Sequence, residues 1–341
     1  MDRITDSTTG GCMPARIVTS TALSAALPAC LLAGAALAAA GCDDNTSSAG
    51  VGPPALTKQQ AGQVLAAYAT AVNRAGKRLD GKALPGIEAD PQLSMDDAAL
   101  KLRRVIRQRP PAMKFAHTTF YVPRLHGYPH WFAADSITGK GKQTLRHALL
   151  FTQAKAGAPW LLAADPYPTD AALSRVALDP DGYATPVDAG DKGLPVAPGK
   201  LPAAHAALLT GGPSASGASA LAKGPKTTET YAALKQGEQA LAKRGVTLTS
   251  KFSAAPYTVY ALRTKDRGAL VWYVVKQNEA YSAAKRGTLA VSGDLTGLAP
   301  AASARTHMDT TVLVQYLATV PPKGRAAVTG MYRKAISAHG S

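Results

Sequence analysis

The pattern of hydrophobic and polar positions predicts a first unit in which helices precede strands. Apolar residues recur at spacings of three and four after Thr57, an N-cap residue, and predict an amphipathic helix to about residue 78. A second helix is predicted at 95–108, with its buried side formed by Ala99, Leu102, Val105 and Ile106. After Pro110 the period shifts toward two, which predicts strands at 115–122, 131–137, 145–153 and 160–164.

The same order recurs in the second half of the chain. A helix is predicted from Thr228 to about residue 244, and strands follow at 247–252, 257–263, 269–276, 288–292, 310–319 and 326–336. Residues 186–226 between the halves are rich in Pro, Gly, Ala and Ser and predict a linker, interrupted by a short helix at 203–209. The predicted domains are therefore 57–185 and 227–341, each a helix packed on a curved antiparallel sheet. This is an α+β fold class, of the cystatin-like or NTF2-like kind, used twice.

The N-terminal segment predicts export. Residues 17–42 form an uncharged apolar run that follows Arg3 and Arg16, which is the layout of a signal peptide over residues 1–41. Its end, Ala39-Ala40-Gly41-Cys42, resembles the lipobox of bacterial lipoproteins, in which the cysteine is acylated by diacylglycerol and becomes the first residue. The alternative is an uncleaved membrane helix, which Pro28 and the Asp pair after Cys42 disfavour.

The resulting expectation is a protein anchored by the lipid on Cys42 to the extracytoplasmic face of the cell membrane. Residues 42–56 are polar, small and Pro/Gly-bearing, and predict a disordered tether. Because Asp2 and Asp6 are unusual in the positively charged start of a signal, the charge placement also favours Met13 over Met1 as the start.

The net charge and the cysteine content limit which binding partners and which cysteine-based sites the protein can have. The formal net charge is +16, which indicates nucleic acid, an anionic membrane surface or an acidic polymer as partner, or simply solubility. Export disfavours nucleic acid and leaves the membrane, reached through the anchor, together with an anionic wall polymer or an envelope protein. The basic residues of the second helix, Lys101, Arg103, Arg104 and Arg107, are interpreted as a solvated face. Loss of Cys12 and Cys30 with the signal, and acylation of Cys42, leave no cysteine for a disulfide or a thiolate metal site.

Candidate binding chemistry is concentrated in the segment 124–131. Exposed aromatic rings give contact area at little entropic cost, so Tyr128 and Trp131, with Arg124 and His130, predict a contact for sugar or protein. The alternative is that Trp131 belongs to the core. A metal site at His126 and His130 is disfavoured because Gly127 and Pro129 prevent a helix there.

No catalytic residue, cofactor or metal is predicted. Ser282 and Lys285 match the Ser-x-x-Lys of penicillin-binding enzymes, but the Lys-Thr-Gly and Ser-x-Asn motifs of those enzymes do not follow. Asp135 and Asp165 end neighbouring predicted strands, as a glycosidase pair would require, yet Asp165 precedes a proline and is interpreted as a turn residue.

Several segments resemble an uncharacterised family of actinobacterial secreted lipoproteins. They are Tyr121-Val122-Pro123-Arg124, Gly127-Tyr128-Pro129 with Trp131-Phe132, Ala158-Pro159-Trp160 through Asp165-Pro166-Tyr167-Pro168, and Tyr316-Leu317-Ala318 with Val320-Pro321-Pro322. The resemblance implies a surface lipoprotein with no assigned activity.

The function hypothesis is a non-enzymatic envelope module that binds a ligand or partner. The alternatives are a hydrolase of wall polymer and a structural subunit of a membrane assembly. A catalytic cleft would cluster titratable groups with perturbed pKa values, a binding groove would be mainly apolar, and a structural subunit would expose a broad apolar patch.

Overall fold

A computed structural model describes residues 52–285, 289, 291–299 and 306–340. Cys42 and the predicted signal peptide lie outside the described residues. Residues Ala49–Ser341 form one compact unit. No described helix is both long enough and apolar enough to cross a bilayer.

The first half of the unit contains two helices and a four-stranded sheet. Helix α1 spans Lys58–Arg78 and helix α2 spans Gln92–Val105. The strands are β1 (Ala116–Tyr121), β2 (His130–Thr138), β3 (Leu145–Gln153) and β4 (Leu161–Ala164). They pair antiparallel in sequence order and form the first sheet.

The second sheet draws strands from both halves of the chain. Strand β5 is Tyr167–Pro168, and helices α3 (Leu201–Gly211) and α4 (Thr228–Ala242) follow it. The remaining strands are β6 (Val246–Ala254), β7 (Tyr260–Arg263), β8 (Ala269–Ala283), β9 (His307–Val320) and β10 (Ala327–Gly340). The order in the sheet is β5-β10-β9-β8-β6, with β7 also paired to β8. The predicted α+β class, with helices and antiparallel sheets, is confirmed.

The two sheets share one core. Trp131 and Leu150 of the first sheet and Trp272 and Leu317 of the second belong to the same buried cluster. The indole Nε1 of Trp272 donates a hydrogen bond of 2.9 Å to the carbonyl oxygen of Ala148 in β3. The boundary predicted between two separate domains therefore lies inside a continuous interior.

The segment predicted as a linker is packed rather than free. Within 186–226, Leu201 and Leu208 of α3 are buried against the second sheet, together with Leu221. The small and apolar residues that suggested a linker are instead those that let α3 lie close to the sheet. The predicted helix at 203–209 is confirmed and is longer at both ends.

Three further predictions differ from the structure. The exposed fractions of Val105 and Ile106 are 54% and 43%, whereas Met95 and Ala98 form the buried side of α2. The buried face of α2 also contains the polar residue Gln92, so the apolar residues alone did not identify that face.

In the predicted tether, residues 53–55 pair with the segment 123–125, and Leu56 is buried. The predicted strand at 288–292 lies partly outside the described residues, and the part described forms no named strand.

Candidate functional site

The chain crosses from the first sheet to the second at Asp165 and Pro166. Strand β4 ends at Ala164 and β5 begins at Tyr167, where it pairs with β10. This crossover places the Asp165 carboxyl between the sheets, where only 2% of the residue is exposed. Asp165 is therefore an interior carboxylate at the junction of the two sheets, and the turn interpretation misses its environment.

A chain of hydrogen bonds runs from the first sheet through Asp165. The hydroxyl of Thr138 lies 2.8 Å from His147 Nε2, and His147 Nδ1 lies 2.7 Å from Asp165 Oδ2. Burial lowers the pKa of His147, but the charge of Asp165 and its hydrogen bond outweigh burial and raise that pKa overall. The hydrogen bond and charge of Asp165 therefore favour the protonated form of the His147 imidazole.

The hydrogen bonds continue into the second sheet and α2. The backbone N–H of Asp165 donates to Gln315 Oε1 at 2.7 Å, and Gln315 Nε2 donates to Gln92 Oε1 at 3.0 Å. Gln92 Nε2 in turn donates to Asp96 Oδ2 at 2.9 Å, while the hydroxyl of Tyr332 donates to Asp96 Oδ1 at 3.3 Å. We call this set of hydrogen-bonded residues the inter-sheet network; its members are Thr138, His147, Asp165, Gln315, Gln92, Asp96 and Tyr332. It fixes α2 against both sheets.

A second buried acid, Glu88, lies beside the inter-sheet network. Residues 87–89 run along the edge of β4, because Leu162 N–H donates to Ile87 and Ala89 N–H donates to the carbonyl of Leu162. The hydroxyl of Tyr68 in α1 donates to Glu88 Oε1 at 3.2 Å. Burial raises the pKa of Glu88 to about 10, and the charge of Asp96 adds to the effect. Glu88 is therefore a neutral acid at physiological pH.

Asp96 titrates in a different range. Burial raises its pKa to about 6, against a hydrogen bond from Gln92 that lowers it. At neutral pH the cluster thus contains a neutral Glu88, an ionised Asp96 and the His147–Asp165 pair. Oxygen Oδ1 of Asp165 is buried and has no hydrogen-bond partner among the described residues.

A cavity of about 550 Å³ lies beside this cluster, between α1, α2 and the segment 109–113. Asp96, Asp165, Gln92 and Tyr68 supply its polar floor. The walls are largely apolar and include Val72, Leu84, Ala99, Leu100, Pro110, Pro111, Met113, Leu145 and Tyr167. Lys77, Arg103 and Arg109 also line it. Apolar walls with a few convergent polar groups are the usual composition of a ligand site. We call this space the α1–α2 cavity.

The segment 109–113 closes one side of the α1–α2 cavity. Asn73 of α1 donates through Nδ2 to the carbonyl of Met113 at 2.9 Å and accepts from Met113 N–H at 2.7 Å. Gly76 allows close approach, since a Cβ there would lie 2.7 Å from Pro110 Cγ. Two hydrogen bonds and one missing side chain therefore hold this wall on α1.

The predicted site residues Arg124, Tyr128 and Trp131 border a separate cleft of about 640 Å³. Trp131 is buried, with its ring 5.2 Å from that of Tyr260. Most of its surface therefore belongs to the core, as the alternative interpretation of the sequence had it. The Tyr128 ring is 44% exposed and stacks on His130 at 4.0 Å.

Arg124 already has partners of its own. Its guanidinium pairs with Asp179 at 2.6 Å and with Asp181, and lies 4.9 Å from the centroid of the Tyr183 ring. The hydrogen bond to Asp179 raises the pKa of Arg124. Arg124 thus holds the loop in place, and Tyr128 is the ring of this group that is open to a partner.

Ser282, considered in the sequence for its Ser-x-x-Lys motif, lies in a cluster that forms no enclosed site. Ser282 lies 3.2 Å from His307 Nδ1, and His307 Nε2 lies 2.9 Å from Asp309 Oδ2. This resembles a catalytic triad, but the side chains of His307 and Asp309 on β9 are 44% and 59% exposed. Water is not excluded there, so we assign the three residues to the surface. Within the described ranges no group of three or more His, Cys, Asp or Glu could hold a metal ion.

The acid cluster makes stability depend on pH. The reference pKa of Glu88 is 4.5, and its folded value is about 10. Its contribution to stability is fully present below pH 4.5 and is lost progressively as pH rises to 10, at about 1.4 kcal/mol per pH unit. We expect Glu88→Gln to flatten the fall in unfolding free energy between pH 6 and 8, measured by urea denaturation.

The matched control is Glu229→Gln, which removes an exposed carboxyl in the first turn of α4. It should leave the pH slope as in the wild type. Equal slopes in wild type and Glu88→Gln would show that Glu88 is ionised in the folded protein, contrary to the burial argument.

Comparison with known proteins gives the family. Residues 53–340 match a family described as a domain of unknown function, DUF8094. An uncharacterised lipoprotein of Streptomyces avermitilis is 30% identical over 243 residues, 70% of this chain and 71% of the relative. An uncharacterised lipoprotein of Streptomyces coelicolor is 30% identical over 302 residues, which cover 82% of this chain and 82% of the relative. A second uncharacterised lipoprotein of the same organism is 28% identical over 242 residues, which cover 69% of this chain and 70% of the relative.

No solved structure matches the chain. The resemblance noted in the sequence is confirmed by the family match and by these relatives, which cover most of the compact unit. The chain belongs to the DUF8094 family and is related to uncharacterised actinobacterial lipoproteins.

Proposed function

We propose that the protein is a lipid-anchored, extracytoplasmic binding module that takes a small amphipathic ligand into the α1–α2 cavity. The observation that carries this proposal is that apolar walls meet a floor with two carboxyls, and that the buried Oδ1 of one of them, Asp165, has no hydrogen-bond partner among the residues that the structure describes. An apolar ligand body would replace water along the walls. A hydrogen-bond donor on the ligand head would satisfy Asp165 Oδ1, which otherwise costs about 1–3 kcal/mol as an unpaired buried acceptor.

The floor defines the polarity of the ligand head. Asp96 and Asp165 offer carboxylate oxygens, and the amide donor of Gln92 is already used by Asp96. An amine or hydroxyl head therefore fits the floor better than a carboxylate, which would meet like charge. The fluorescent amine 1-aminoanthracene has this composition, with an apolar ring body and one donor head.

We expect 1-aminoanthracene to bind with one site per chain and to gain fluorescence as it leaves water. Ala99→Trp places a large ring in the cavity from α2 and should weaken binding at least tenfold. The control Ala67→Trp adds the same ring on the exposed side of α1 and should bind as the wild type does. Equal binding by the two variants would place the dye elsewhere and contradict the proposal.

A wall-polymer hydrolase is the second candidate, because Asp96 and Asp165 both face the same cavity. Two carboxyls that face one cleft are the usual acid and base or nucleophile of glycoside hydrolysis. The apolar walls support binding over turnover, since a polyol chain needs polar partners along its length. Release of soluble fragments from wall polymer that is lost in Asp96→Asn would favour the hydrolase.

The cleft beside Tyr128 is proposed as a further contact surface for a sugar or an envelope protein. Its support is the exposed Tyr128 ring, stacked on His130 and so held in place at little entropic cost on binding. Arg124 and Trp131 serve this surface by fixing the loop. Loss of polymer or protein capture in Tyr128→Ala, without loss of 1-aminoanthracene binding, would separate this surface from the α1–α2 cavity. Capture unchanged by Tyr128→Ala would contradict it.

Lipidation of Cys42 rests on the lipobox-like sequence and on the names of the relatives. We expect mass spectrometry of the N-terminal peptide from the native membrane to show a diacylglyceryl-modified Cys42 as the first residue. The Cys42→Ala form should remain uncleaved and carry no acyl group. An N-terminus upstream of Cys42 in the wild type, with an unmodified thiol, would contradict the anchor.

A further inference from the structure

The ends of α1 and α2 bring several basic side chains together at one surface. Lys77 and Arg78 end α1, and Arg103 and Arg104 end α2. Arg107 and Arg109 follow α2, and Lys77 and Arg109 line one surface depression with Arg78. Arg104 Nε of α2 donates to the carbonyl of Leu79 at the end of α1 at 2.8 Å, and Arg103 Nη1 donates to the carbonyl of Arg109, beyond α2, at 3.4 Å. We call these six cations the helix-end patch.

The helix-end patch is not neutralised within the described part of the chain. None of its six cations forms an ion pair there, although other arginines do, such as Arg146 with Asp135 at 2.7 Å. Of the acidic side chains near the patch in sequence, Asp80 accepts from the N–H of Lys82 at 3.0 Å and Asp97 pairs with Lys101. Cations in the last turn of a helix favour its dipole, which accounts for four of the six. Arg107 and Arg109 lie beyond α2 and need another explanation.

Apolar side chains are exposed among these cations. Val105 and Ile106 are 54% and 43% exposed and are flanked by Arg104 and Arg107. Water is a poor solvent for both, and about half of each residue is exposed to it in the described structure. Two apolar side chains ringed by cations match a lipid surface, where anionic headgroups overlie an apolar layer. A soluble polyanion would satisfy the charges but offers nothing to Val105 and Ile106.

The length of chain before the compact unit is compatible with this placement. Helix α1 has 21 residues and so is about 31 Å long, with the helix-end patch at its far end. The chain between Cys42 and Gly52 is about ten residues, which can span about 35 Å when extended. An acyl group on Cys42 and the helix-end patch can therefore reach the same membrane surface.

We propose that the helix-end patch, with Val105 and Ile106, docks the protein onto an anionic lipid surface. Docking turns the C-terminal ends of α1 and α2 toward the membrane. Lys77, Arg103 and Arg109 belong both to this patch and to the lining of the α1–α2 cavity, so docking brings the cavity lining next to the headgroups. This inference does not depend on ligand binding in the cavity.

The test uses residues 49–341, the compact unit with its own core, and vesicles of phosphatidylcholine with one-quarter phosphatidylglycerol. We expect co-sedimentation with these vesicles, none with pure phosphatidylcholine, and a steep loss between 50 and 200 mM salt. The variant Lys77→Glu/Arg107→Glu/Arg109→Glu should lower partitioning at least tenfold. The side chains of these three residues make no hydrogen bond in the described structure, so folding should be unaffected, as circular dichroism can verify.

Two matched variants make the test specific. Lys155→Glu/Lys192→Glu/Lys200→Glu changes net charge equally at exposed positions elsewhere and should alter partitioning less than threefold. Val105→Ser/Ile106→Ser keeps every charge and should lower partitioning severalfold. Equal losses in the two charge variants would overturn the proposal, since net charge alone would then explain binding. Retention of full partitioning in Val105→Ser/Ile106→Ser, with complete displacement from the vesicles by polyphosphate, would also overturn it and assign the patch to an anionic polymer.

Discussion

The structure depends on polar groups that are buried where the two sheets meet. Asp165 lies at the crossover from β4 to β5, and its backbone and carboxyl hydrogen bond to opposite sheets, to Gln315 and to His147. Each of these groups would be costly to bury alone, and each is stabilised by the next. The apolar cluster around Trp131 and Trp272 joins the sheets without directional preference, whereas the inter-sheet network sets how they are aligned and where α2 must lie.

The same arrangement produces the α1–α2 cavity. Because Gln92 and Asp96 must reach the inter-sheet network, α2 turns its polar residues inward at its start and leaves Val105 and Ile106 outside at its end. The floor of the cavity and the apolar part of the helix-end patch are thus two consequences of one helix orientation. The proposed anchor, docking surface and cavity then describe a module held at a membrane with its ligand site close to the lipid. In this account the high positive charge has a local role at the helix ends, beyond solubility.

Local patterns were enough to predict much of the fold. The capped helix α1 matches its predicted bounds because Thr57 and Gln60 form a capping box ahead of a regular apolar stripe. Strand β3 has the bounds predicted for it, because it contains five consecutive buried residues and lies between two turns. The buried side of α2 was not predictable in this way, since it depends on Gln315, more than 200 residues away in the sequence.

The site was harder to predict than the elements that build it. Asp165 stood in a segment singled out for its family resemblance, but a carboxylate before a proline is ordinarily a turn residue. Glu88 and Asp96 gave no signal, because their environment is created by long-range contacts. The spacing of Gln92 and Asp96, four residues apart, places both on one side of α2, but α2 carries polar residues on other sides as well, so this spacing did not mark them out.

The most direct test of the central claim is native mass spectrometry of the protein released from its own membrane in mild detergent. The account predicts that the wild type carries one small amphiphile per chain, with an amine or hydroxyl head, in addition to the lipid on Cys42. Ala99→Trp, isolated in the same way, should carry the lipid alone. If the two proteins differ in mass only by the tryptophan substitution, a ligand site in the α1–α2 cavity is contradicted. This holds whether both forms are empty or both retain the amphiphile.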